Sequence, residues 1–225
     1  METKTYIVNP IPQRAVTWSW LKINNDTITV DFEISKKLPK IDTLPNGFSV
    51  KENSAPQTNL VEPLTGSGKI WEDLSDNDML VTIEGKTEKP LILNFNLENN
   101  ENTSCVINIH AKKDSESSII LFYSGNPDSK GFNATRTKLY AEENAKVHLV
   151  KVQMLGNEYV HIDESSAVTA DNANVLFTII ELGGKHIDSG IHTDLRGNNS
   201  IFKSKLAYLC KDSQYLDMNH EIYFI

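Results

Sequence analysis

Apolar runs open at Leu91, Ile119, Val147, Val175 and Ile201, at successive intervals of 28, 28, 28 and 26 residues. Each is entered through a short polar stretch, Glu88-Lys89-Pro90, Glu116-Ser117-Ser118, Asn144-Ala145-Lys146, Asn172-Ala173-Asn174 and Asn198-Asn199-Ser200, which suits a recurring turn. Between them lies a second series of extended segments, at 106–109, 132–139, 159–162, 187–195 and 215–224. Two strand patterns and no helical pattern in each unit, at a fixed period, mark a solenoid whose coils stack one on the next. The pattern predicts an all-β fold, a parallel β-helix with about 28 residues and two strands per coil. A β-sandwich accounts for it less well, because turns there come roughly every 8 to 12 residues.

Side-chain parity supports strands. Leu91, Leu93, Phe95 and Leu97 share one face and Asn94 and Asn96 the other, the period expected when one face is buried. Val175, Phe177 and Ile179 repeat the pattern, and Leu176 and Ile180 on the opposite parity predict a strand covered on both sides. In the last repeat Lys203 and Lys205 fall in phase with Ile201, while Phe202, Leu206 and Tyr208 take the other parity. A one-residue slip exchanges the two faces and restores the apolar side.

Residues 1–69 lack this period and carry Pro10, Pro12, Pro39, Pro45, Pro56 and Pro63, so they are expected to form an irregular N-terminal cap. The stretch 27–34 alternates Ile28, Val30, Phe32 and Ile34 with polar residues and predicts a strand within it, and Trp18 and Trp20 are expected to anchor the segment. Residues 70–225 are then the β-helix core. A solenoid needs a cap because its terminal coil otherwise exposes an apolar end.

A chain of 225 residues, 39% hydrophobic and 23% charged, has enough apolar material for a packed core. Its N-terminus has no secretion-signal pattern, and no run approaches the ~18 apolar residues of a membrane helix. With two cysteines only, a disulfide framework is excluded. A cytoplasmic address is expected. The net charge of −8, with scattered Lys and Arg, argues against nucleic acid or an anionic membrane as a partner.

Nucleotide motifs fail. Gly66-Ser67-Gly68-Lys69 has Pro63 where a phosphate loop needs glycine and Ile70 where it needs Ser or Thr, and Gly183-Gly184-Lys185 fails in the same way at Ile179 and His186. His186, Asp188, His192 and Asp194 share one strand face and offer donors for a divalent ion, but Ile187, Ile191 and Leu195 hold the other parity, so these four read as the wet side of an amphipathic strand. No metal site is expected. His220 is in phase with Leu216, Met218, Ile222 and Phe224, which makes it a core histidine or a candidate ligand. Cys105 and Cys210 read as buried structural thiols, with a weaker reading as cofactor ligands alongside His220. No nucleophile motif or carboxylate pair points to an enzyme.

Four stretches stand out together: Glu143-Asn144-Ala145-Lys146-Val147 with Val150-Lys151-Val152-Gln153, Ile180-Glu181-Leu182-Gly183-Gly184, Asp194-Leu195-Arg196-Gly197-Asn198-Asn199-Ser200 and Gln214-Tyr215-Leu216-Asp217. They resemble the core of the SufB/SufD family, the scaffold components of SUF iron–sulfur cluster assembly. Trp18-Ser19-Trp20-Leu21-Lys22-Ile23-Asn24 is similar to the Trp-rich segment that precedes the core in SufD-like members. The resemblance implies a right-handed parallel β-helix and a non-catalytic scaffold or partner subunit. It also implies a SufC-like ATPase and a SufB-like subunit as partners, with a transient iron–sulfur cluster formed in their complex and no cofactor in the isolated chain. Relative to the family the core is C-terminally short, and the family's functional cysteine and histidine belong to a later region, so no residue here inherits their role. The turn at Ala170 lacks the cysteine of some SufB members, which favours a SufD-like chain.

An end coil open at residues 215–225, from Tyr215 to Ile225, is expected to mediate homo-oligomerisation, since exposed strand edges invite pairing. The alternative function is a carbohydrate-active or ligand-binding β-helix, which requires a ladder of acidic and aromatic residues at the coil period. No such ladder is present at an offset of 28.

Overall fold

The computed structural model describes residues 4–8, 26–54, 71, 74 and 78–225. The expectations placed on Trp18, on Trp20 and on Gly66-Ser67-Gly68-Lys69 concern residues outside these. All the described elements are strands. One parallel sheet is built from β6 (Leu91–Leu97), β8 (Glu116–Gly125), β10 (Lys146–Met154), β12 (Asn174–Glu181) and β14 (Ile201–Tyr208), stacked in that order. The second contains β5 (Met79–Ile83), β7 (Glu101–Ala111), β9 (Lys130–Ala141), β11 (Glu158–Thr169), β13 (His186–Leu195) and β15 (Tyr215–Phe224). The chain alternates between the sheets, so each pair of strands is one coil of a β-solenoid, as the period predicts.

The register refines the sequence ruler. Leu91 faces Ile119, Ile119 faces Leu149, Leu149 faces Phe177 and Phe177 faces Ser204, so the offsets are 28, 30, 28 and 27 residues. Counting apolar starts matched Ile119 with Val147, but Val147 faces Ser117. The slip foreseen in the last repeat is present: Val175 faces Phe202, which puts Phe202, Leu206 and Tyr208 on the inward parity.

The recurring turn has a defined chemistry. Asp114, Asn144, Asn172 and Asn199 all take positive φ, between 57° and 62°, at the same corner of successive coils. Asn and Asp tolerate this left-handed conformation better than other side-chain-bearing residues. The corners are hydrogen-bonded coil to coil, with the amide of Asp114 donating to Glu143 O (3.0 Å), that of Asn144 to Asp171 O (2.9 Å) and that of Asn172 to Asn198 O (2.8 Å).

Between the sheets lies the main core, with Leu91, Leu93, Phe95, Ile107, Ile109, Ile119, Leu121, Leu149, Phe177 and Ile179 all buried. The outer face of the first sheet is wet, and Leu176 and Ile180 are only half-buried, so the expected double covering of β12 is not found. The second sheet is the doubly covered one. Ile28, Val30, Trp71, Phe32, Ile34 and Leu74 pack on its outer face against Val106, Phe132, Ala134, Val160 and Ile162. Of these, Ile28 and Val30 belong to β2 (Asp26–Val30), which pairs antiparallel with β1 (Lys4–Val8). β3 (Ser35–Lys36) adds a short parallel pairing to β7, and β4 (Phe48–Glu52) runs antiparallel along β5 and closes that edge. The expected strand at 27–34 is thus shorter, ending at Val30.

Candidate functional site

Inward positions of a strand are normally apolar, and in the middle coils they are not. On β10, Val147 and Leu149 point inward together with Lys151 and Gln153. On β12, Glu181 follows Val175, Phe177 and Ile179, and on β11, His161 and Asp163 follow Tyr159. All five polar residues are at most 1% exposed. Period-2 geometry therefore aims a lysine, two acids, a histidine and a glutamine into one stretch of the solenoid interior.

Burying charge this deeply requires pairing. Lys151 Nζ meets Asp163 Oδ1 at 2.5 Å, bridging the two sheets. Gln153, the ladder neighbour of Glu181, is committed to the turn. It donates from Nε2 to Gly183 O (2.9 Å), while its Oε1 accepts from the Leu155 and Gly183 amides at 3.0 and 3.1 Å. Glu181 Oε2, Asp163 Oδ2 and both ring nitrogens of His161 lack a partner in hydrogen-bond geometry. Burial, reinforced by the Asp163 charge and opposed by Lys151, holds the Glu181 carboxyl well above its usual range, favouring its protonated form. Burial likewise brings His161 down to about 4; the Asp163 charge and the nearby Asn133 backbone pull upward and Lys151 downward. One donor atom from each of His161, Asp163 and Glu181 lies within 4.8 Å of one from each of the others. The Tyr123 ring packs on the imidazole with centroids 4.9 Å apart and is itself stacked on Phe95 at 4.8 Å.

A second buried ion pair lies on the outer face of the same sheet. Arg136 Nη2 and Nε donate to Glu164 Oε2 at 2.7 and 3.0 Å, and the guanidinium sits 4.6 Å over the Trp71 ring. Burial outweighs the guanidinium and pushes the Glu164 carboxyl up to about 7. A surface cleft of about 540 Å³ at the coil corners, bordered by Tyr140, Glu143, Asp171 and Arg196, includes none of the interior cluster.

The residues singled out from sequence are placed differently. His186, Asp188, His192 and Asp194 do share the outer face of β13, but they are not its wet side: His192 and Asp194 are buried and the other two half-buried. They are absorbed by local pairs. His192 Nε2 lies 3.0 Å from Asp194 Oδ1, Arg196 Nη2 lies 2.8 Å from Asp194 Oδ2, and the imidazoles of His186 and His192 pack on Tyr215 and Tyr223. At about 3.3 Å per residue the four extend over roughly 26 Å, too far for one ion.

Cys105 is a buried core thiol, as expected, and burial together with the Asp78 charge raises its pKa strongly. Cys210 is exposed, which corrects the expectation of a second buried thiol, because it lies between β14 and β15 at the open end. Four ladder steps separate β7 from β15, or about 19 Å at roughly 4.8 Å per step, so the two thiols share no site. His220 faces inward in register with Ile191, half-buried, its Nε2 without a partner.

The interior cluster escaped the sequence reading, although its signal is in the parity: Lys151, Gln153, Asp163 and Glu181 each interrupt an apolar face. Parity alone does not show that they come from neighbouring strands of facing sheets.

The class defined by this geometry is a two-sheet parallel β-solenoid with charged groups enclosed between its sheets. Its lineage is given by comparison with known families. The model for the SUF system FeS cluster assembly SufBD core domain matches residues 95–225, more than half of the chain, so the protein belongs to the SufB/SufD core family and has a role in SUF-type iron–sulfur cluster assembly. Neither the curated proteins nor the solved structures give a match. No helix among the described residues is long and apolar enough to cross a membrane.

Proposed function

We propose that the chain is a non-catalytic, SufD-like scaffold or partner subunit that joins a SufC-like ATPase and a SufB-like subunit, leaving ATP hydrolysis to the former. The observation that supports this reading is the SufBD core match over residues 95–225, carried by a two-sheet parallel solenoid whose stacked coils offer extended surfaces to partner subunits.

The cluster enters this scheme as cargo. Thiolate is its usual ligand, and this chain's thiols are one buried in the core and one about 19 Å away at the open end. They do not assemble a ligand set, so in this reading the cluster ligands come from the partner or are shared with it across the interface.

Co-expression with a SUF-type ATPase and a SufB-like subunit, followed by tandem purification and analysis for iron and sulfide, tests the proposal. A stable complex whose ATPase activity resides in the SufC-like subunit supports it. Failure of the chain to join either subunit, or glycan binding in their absence, overturns it.

A further inference from the structure

We propose that His161, Asp163 and Glu181 form a site for a first-row divalent metal ion inside the solenoid. The inference rests on the interior geometry and does not depend on the scaffold reading.

Buried polar atoms are almost always hydrogen-bonded, and an unsatisfied one costs about 1 to 3 kcal/mol. Among the unpartnered atoms of this stretch of interior, which also include the hydroxyls of Tyr123 and Ser189, are Asp163 Oδ2, Glu181 Oε2 and both nitrogens of His161. These last belong to three side chains that are at most 1% exposed and offer donors within 4.8 Å of one another. They reach in from both sheets. His161 and Asp163 stand two apart on β11 and Glu181 reaches in from β12 in the facing sheet.

The surroundings leave the triad free to bind an ion. Gln153, which could have satisfied Glu181, gives its amide to Gly183 and Leu155. Lys151 uses Asp163 Oδ1, which leaves Oδ2. Tyr123 packs on the imidazole and limits its rotation.

One imidazole and two carboxylates are the borderline and hard donors that suit Fe(II), Mn(II), Co(II) or Zn(II). With bond lengths of about 2.1 Å, ligand atoms around such an ion stand roughly 3 to 3.5 Å apart. Closure from 4.8 Å is therefore a matter of side-chain rotation rather than backbone movement. An ion also supplies the positive charge that would let Glu181 ionise beside the Lys151–Asp163 pair.

The site is enclosed, so loading requires either slow opening of the coil or presence of the metal during folding. The test is to refold the chain with Co(II), desalt it, and measure retained cobalt together with its visible d–d absorption. The expected result is one cobalt per chain, a band without a thiolate charge-transfer component, and a higher thermal midpoint than the metal-free protein. His161→Ala and Glu181→Gln should each lower retention at least tenfold, whereas His192→Ala, in the outer-face pair, should leave it unchanged. Because a buried substitution can unfold the protein, the wild-type spectrum serves as an independent readout. A thiolate charge-transfer band, or loss of cobalt on Cys210→Ser, overturns the assignment. So does absence of retained cobalt after refolding, in which case the cluster is a structural network only.

Discussion

Lys151 and Asp163 show most directly what a single buried pair does in this fold. Each is the other's main compensation for leaving water, at 2% and 1% side-chain exposure, and removing one partner strands the other charge. Lys151→Met should cost about 3 to 5 kcal/mol in unfolding free energy, and the double change Lys151→Met with Asp163→Asn should recover most of it. Equilibrium denaturation of these variants and of Asp163→Asn alone checks this; losses that simply add in the double variant would show that the pair is not coupled. His220 gives a prediction in pH. Burial lowers its pKa in the folded chain, so below about 6.5 the unfolded state binds the proton first. The resulting loss of stability begins as pH falls through that value and grows until the folded-state pKa is reached. His220→Leu should therefore show a smaller drop in thermal midpoint between pH 8 and pH 5 than the wild type, with the contribution of His161, of the same sign, present in both.

At the level of strands and turns, the coil corners decide how closely successive turns stack. Gly197 lies against the preceding corner, where an added Cβ would stand 1.9 Å from the Ala170 carbonyl carbon and 2.1 Å from the Asp171 nitrogen. Its own amide donates to Thr169 O at 2.9 Å, so the corner cannot move away without losing a coil-to-coil bond. Gly197→Ala should destabilise by about 1 to 3 kcal/mol or more through overpacking. Gly85 has a positive φ of 70° and nothing near its Cβ position, so Gly85→Ala should cost only the left-handed conformation, about 1 to 2 kcal/mol. Chemical denaturation of the two variants should rank them in that order. Strand identity and the corner residues were readable from the sequence, because alternation at period 2 and the Asn and Asp turns are local. The offset of 30 between Ile119 and Leu149 was not, since two extra residues absorbed in a turn leave the apolar start of β10 looking in step.

For the whole molecule the question is what meets the open end. Phe224 and Ile225 are 83% and 75% exposed, and substitutions on such a surface change stability little. Leu206→Glu with Phe224→Asp should keep the monomer's thermal midpoint within about a degree or two, a change of under ~0.5 kcal/mol. The same change is expected to abolish self-association through this coil, read as a concentration-dependent rise in mass in light scattering. Association that survives in the double variant places the interface elsewhere.

Sequence alone determined the repeating two-strand coil, its all-β character, the family resemblance and the slipped last repeat, because each follows from side-chain parity and turn chemistry over a few neighbouring residues. Only the tertiary structure decided which faces are dry. Ile28, Val30 and Trp71 cover Val106, Phe132 and Ile162 on the outer face of the second sheet, and on that same face His192 and Asp194 are buried with Tyr223 and Arg196 beside them, although parity had assigned them to solvent. The facing of β11 by β10 and β12 gathers Lys151, His161, Asp163 and Glu181, residues up to 30 positions apart, into one enclosed cluster. Burial and convergence depend on what stacks above and across a strand, and that depends on register summed over whole coils, which no local window contains.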